Sequence, residues 1–137
     1  MDKQDFLNII KKAKYIALAT SVNNEPNVRI VNCLWQDGTL YFSTMKGAPK
    51  LAEIDTNKKV AFTTLPADSM AFVRVSKAEA KTSEKTAAEL KEAFIAQDPT
   101  MEHVFAAVGT EAFQMGEIHF TEADVCIDFG NFGHIAL

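Results

Sequence analysis

The pair Asp37-Gly38 lies between two apolar arms, NVRIVNCLW (27–35) and TLYFST (39–44). A two-residue Asp-Gly connection accepts positive φ at both positions, and its twist matches that of the strands it joins. The segment therefore predicts an antiparallel hairpin. Side chains alternate along a strand, so Val28, Ile30, Asn32 and Leu34 share one face, and Arg29, Val31, Cys33 and Trp35 share the other. The polar residues fall at the open end of the hairpin. Arg29 stands early in the first arm, Ser43 and Thr44 end the second, and Lys50 follows. A hairpin sets the start of one strand beside the end of its partner, so Arg29 and Thr44 are expected to be neighbours.

The rest of the chain repeats this grammar. YIALATS (15–21) is an apolar strand, and Asn23-Asn24-Glu25-Pro26 supplies turn chemistry. KKVAFTTL (58–65) and MAFVRVSKAEAKT (70–82) read as further strands, and AFQMGEIHFTEADVCIDFG holds two more. Apolar spacing over residues 2–13 predicts an amphipathic helix. Gly47-Ala48-Pro49 opens a second helix over 49–56, because proline costs little at a first helical position. SEKTAAELKEAFIAQ (83–97) is a third helix, with Thr86 and Glu89 placed to cap its start and Leu90, Ala93, Phe94 and Gln97 on its inner side. MEHVFAAV (101–108) is a short fourth, and 130–137 reads as an extended tail. Consecutive strands joined by hairpins favour a mainly β, α+β antiparallel barrel over a parallel sheet. The expectation is one domain over 1–137, with six or seven strands and three or four helices.

Composition narrows the function. A chain of 137 residues with 47% hydrophobic content can bury a core. A net charge of -4 argues against nucleic acid or an anionic membrane as partner, since both need a broad positive face. No apolar run approaches the length of a membrane span, and no secretory leader is visible at the N-terminus. The expected compartment is the cytoplasm, with Cys33 and Cys126 reduced. No CxxC or HxxxH spacing supports a metal site.

A local anion pocket is compatible with these limits. A phosphate dianion is well held by a guanidinium, an ammonium and hydroxyl donors, which Arg29, Lys50, Ser43 and Thr44 supply. The start of the helix at Lys50 would favour the same anion. The other reading of the two cations is a pair of solvated surface charges. Trp35 and Tyr41 could wall a ligand or pack the barrel, and Phe129 and Phe132 in DFGNFG could reach a neighbouring subunit or anchor the tail. Cys33 is either redox-active or simply packed, and His103, His119 and His134 form no chelating pattern. No side chain declares itself a general acid, base or nucleophile.

Read in order, these features resemble the pyridoxamine 5'-phosphate oxidase-like split-barrel family of FMN-binding proteins. The matching residues are Leu18-Ala19-Thr20, Pro26, Val28-Arg29, the hairpin, Phe42-Ser43-Thr44, Lys50, Asn57 before VAFTTL, and the strand FVRVSKAEA (72–80). The resemblance implies a six-stranded antiparallel split barrel with flanking helices, and a homodimer with FMN at its interface. It implies that Arg29, Ser43, Thr44 and Lys50 hold the FMN phosphate, and that Ile30, Val31 and Asn32 run beside the isoalloxazine ring. It further implies hydride or electron transfer between FMN and a small substrate or NAD(P)H. Alternatives on the same fold are a flavin-binding or electron-carrier module without turnover, and a haem or deazaflavin binder. The chain departs from the family pattern at Pro49, where a second cation usually precedes the lysine, and Lys46 is the nearest replacement. It also lacks a match to the Trp- and Arg-rich C-terminal stretch of the vitamin B6 oxidases.

Overall fold

A computed structural model describes residues 1–66 and 69–137. Among the described residues, eight strands and four α-helices follow one another as α1 (Lys3–Ile10), β1 (Tyr15–Val22), β2 (Glu25–Gln36), β3 (Thr39–Met45), α2 (Pro49–Thr56), β4 (Lys59–Thr64), β5 (Phe72–Thr82), α3 (Ala87–Gln97), α4 (Met101–Val108), β6 (Phe113–His119), β7 (Glu122–Asp128) and β8 (Asn131–Ala136). All strand pairs are antiparallel. The order β4-β1-β2-β3-β6-β5 closes on itself through a β4–β5 pairing, which gives a six-stranded barrel. β7 and β8 extend the sheet outward from β5. The expected tail at 130–137 is therefore a strand: β8 pairs with β7 from Asp128↔Asn131 to Glu122↔Ala136.

Two tight turns set the first three strands. Asp37 and Gly38 have φ of 52° and 78°, and Asn23 and Asn24 have 53° and 64°. Both pairs adopt the left-handed region that Asn, Asp and Gly tolerate, and both make two-residue hairpins. The second pair is a shorter connection than the loop expected at 23–26, so β2 begins at Glu25 rather than Asn27.

The alternation read from the hairpin holds. Val31 and Cys33 point into the barrel with Ile16, Leu18, Leu40 and Phe42. Leu34 and Tyr41 point outward and are buried beneath α3 and α4 with Leu90, Phe94 and Phe105. α1 lays Phe6 and Ile10 into the barrel core, with the Phe6 ring edge-on to Trp35 at 5.3 Å. Trp35 and Tyr41 are thus packing residues. Thr86 caps α3 by accepting from the Glu89 backbone N–H, and that cap starts the helix at Ala87, later than the expected Ser83.

Candidate functional site

The strands β2 and β3 are paired over a short stretch only. Their register runs from Gln36↔Thr39 to Cys33↔Phe42 and goes no further. Beyond Cys33, β2 keeps its pairing with β1 as far as Val22↔Glu25. β3 keeps its pairing with β6 as far as Met45↔Phe113. The barrel wall therefore parts beside residues 29–32, leaving one backbone edge of β2 free of β3. Polar groups on such an edge are available to a ligand or another chain.

Three of the expected anion residues, Arg29, Thr44 and Lys50, lie by this opening. Arg29 lies on the barrel-facing side of β2, one step past Val31. Its side chain is 18% exposed. The Arg29 Nη1 donates to the Thr20 hydroxyl at 2.8 Å and to the Leu18 carbonyl at 3.3 Å. Its Nη2 pairs with Glu53 Oε2 at 2.7 Å. Lys50 stands in the first turn of α2 and donates from Nζ to the Thr44 hydroxyl at 2.6 Å. The start of α2 thus meets the end of β3 through Lys50 and Thr44, while Arg29 is held by β1 and α2 and acts on Lys50 through its charge.

Three further residues complete the cluster. Glu53 Oε2 also accepts from the Thr20 hydroxyl at 2.7 Å, and Oε1 accepts from Asn27 Nδ2 at 3.2 Å. The Thr20 hydrogen bond is the main reason the Glu53 carboxyl lies below its ordinary range, assisted by Asn27 and Arg29 and opposed by burial. Lys50 is pushed below its ordinary value, first by burial and then by repulsion from Arg29, with Glu53 partly offsetting both. Glu53 was detectable in sequence, since three residues after Lys50 on a helix is the same face. Its reach to β1 and β2 was not, because that depends on how α2 docks.

The remaining expected residues divide. Ser43 neighbours Thr44 along β3 and so faces the opposite side of the sheet, with Tyr41 and away from Lys50. Ile30 is 62% exposed on the outer face of β2. Val31 is buried in the barrel core, so only its backbone reaches the opening. Asn32 donates to Asp98 at the end of α3, at 3.4 Å. Lys46, the nearest replacement for the cation missing at Pro49, lines a separate cavity of about 430 Å³ beside the start of α3. A larger cavity of about 840 Å³ shares Thr20 with the cluster and is lined also by Ala19, Ser21, Lys59, Ala61 and Lys77.

The other reactive side chains have local explanations. Burial, with a smaller push from Asp98, raises the Cys33 thiol to about 12, which leaves it protonated and inert. His119 contacts Glu117 at 2.9 Å, and His134 contacts Asp124 at 2.7 Å. Among the described residues no group of three or more His, Cys, Asp or Glu is placed to hold a metal. No described helix is long and apolar enough to cross a membrane.

Comparison with known proteins follows the architecture. No curated protein matches the chain in sequence. General stress protein 26 from Bacillus anthracis superposes with a TM-score of 0.72 at 16% identity, over 98% of this chain and 98% of that one. A haem-binding protein from Mycobacterium smegmatis gives 0.72 at 12% identity, over 96% of this chain but 56% of its own. An FAD-binding protein from Mesorhizobium loti gives 0.63 at 12% identity, over 88% of each chain. At such identities the likeness concerns the fold alone. The sequence itself matches the family model described as pyridoxamine 5'-phosphate oxidase-like across residues 9–132, and the chain belongs to that family.

Proposed function

We propose that this chain is a cytoplasmic flavoprotein that binds FMN at the opening between β2 and β3. The observation that carries the reading is the parting of those strands next to the Lys50–Thr44 pair. The residues present fit a phosphate group. Lys50 offers an ammonium, Thr44 a hydroxyl, and the α2 N-terminus carries no side-chain cap of its own. Arg29 offers a guanidinium at the same place, though Glu53 already engages it. Backbone groups of Ile30, Val31 and Asn32 along the free edge of β2 would lie beside the ring. The Ser43 side chain faces away and would contribute through its backbone alone.

Bound FMN would supply hydride or electron transfer, with a small organic molecule or NAD(P)H as the other reactant. The protein's part is to orient the flavin and to shield it. Val28 and Ile30 leave an apolar strip on the outer face of β2, which a second copy of the chain would cover while completing the groove. Family membership and the FAD-binding neighbour support a flavin over other phosphorylated ligands. A flavin carrier without turnover uses the same site. The haem-binding neighbour favours a second reading, in which the same fold holds haem.

The spectrum of the purified protein separates these. Flavin bands on addition of FMN support the proposal, a Soret band supports haem, and indifference to both removes the leading reading. Reduction by NADPH without oxygen then distinguishes a reductase from a carrier. Lys50→Ala with Arg29→Ala is expected to weaken FMN binding by about 100-fold, the scale of two charge-assisted hydrogen bonds, while riboflavin affinity stays the same. Equal losses for both ligands would show that the cations do not hold the phosphate.

A further inference from the structure

We propose that Glu53 is a built-in competitor for Arg29, a carboxylate that occupies the guanidinium in the free protein and is exchanged for the phosphate of the ligand. The inference rests on the phosphate-binding reading of the site. A carboxylate and a phosphate monoester present the same pair of oxygens to an arginine fork, so one can stand in for the other. Here the fork is already filled: Nη2 holds Glu53 and Nη1 holds Thr20 and the Leu18 carbonyl. The two cations of the site therefore differ. Lys50 contacts only the neutral Thr44 hydroxyl and joins no ion pair among the described residues. Lys50 and the start of α2 receive the anion first, and Arg29 joins once Glu53 withdraws. The withdrawal is sterically open, since Glu53 is 23% exposed on the second turn of α2 and can swing into water.

A purely structural role predicts something else. Thr20, Asn27 and Arg29 come from β1 and β2, so Glu53 also ties α2 to the barrel mouth. Were that its only role, neutralising it would cost stability and leave anion affinity unchanged.

The test compares wild type, Glu53→Gln, Arg29→Ala and the double variant, titrated with FMN and with riboflavin. Glu53→Gln is expected to tighten FMN binding by about tenfold, the scale of one charge-assisted hydrogen bond regained, with riboflavin unaffected. In the Arg29→Ala background the gain should fall below about twofold, because the exchange acts through the guanidinium. An unchanged FMN affinity in Glu53→Gln, or a gain of equal size without Arg29, overturns the inference. If Glu53→Gln does not fold, Glu53→Asp replaces it, since its shorter arm weakens the grip on Arg29; FMN affinity that stays at the wild-type value then overturns the inference. If none of the chains binds FMN, inorganic phosphate is the probe. A larger rise in melting temperature with phosphate in Glu53→Gln than in wild type upholds the exchange while the flavin reading falls. No phosphate response in any chain overturns both.

Discussion

At the residue scale, the site is a balance of charges rather than a cation pair. Arg29 and Lys50 supply two positive charges and Glu53 removes one, so the opening holds a weaker field than the sequence suggested. The Arg29–Glu53 pair is half-buried, so removing one partner should cost on the order of 1–2 kcal/mol, between the values for surface and buried pairs. Because the Glu53 carboxyl lies below its ordinary value of 4.5, its contribution to stability is present above that value and is lost as pH falls through the depressed one. His134 shows the opposite sign. Its hydrogen bond to Asp124 raises it above 6.5, so its contribution is complete below that pH and lost as pH rises through the raised value. An NMR titration should find His134 above 6.5 in the wild type and lower in Asp124→Asn; identical titrations would refute the contact. Gly116 gives a packing prediction. A Cβ there would sit 2.0 Å from the Phe42 ring at the centre of the barrel. Gly116→Ala should destabilise by about 1–3 kcal/mol or more in a denaturant titration, as overpacked cores do.

At the scale of elements, most of the fold was legible because short-range rules governed it. Thr86 as a cap, Pro49 at a first helical turn and Asp37-Gly38 as a hairpin each act within four residues. Thr86→Ala should cost about 1 kcal/mol, measured by chemical denaturation, without moving the site. The elements that escaped the reading depend on distant partners. β8 looked like a tail because Asn131–Ala136 has little apolar alternation of its own; its strand character comes from pairing with β7. Phe132 is held there by Phe72, at 6.3 Å, and by the Arg74 guanidinium over its ring. The direction of Ser43 was derivable from strand alternation alone. Its hydroxyl and the family resemblance grouped it with Thr44.

At the scale of the whole molecule, the barrel leaves apolar surface that a single copy does not cover. Val28 and Ile30 are exposed on β2, and Phe129 is 94% exposed at the β7–β8 turn. If a second copy covers this surface, Ile30→Asp should shift the protein toward monomer in sedimentation velocity and weaken FMN binding along with it. A wild-type monomer that binds FMN with full affinity would remove the dimer from the proposal. By itself the sequence determined the succession of strands along the chain and favoured an antiparallel barrel, because turn chemistry and side-chain alternation are local and periodic. Only the tertiary structure decided that β2 and β3 part beyond Cys33 and that α2 swings Glu53 onto Arg29. Those outcomes depend on how sheet closure positions elements far apart in the chain, and local periodicity carries no information about that distance.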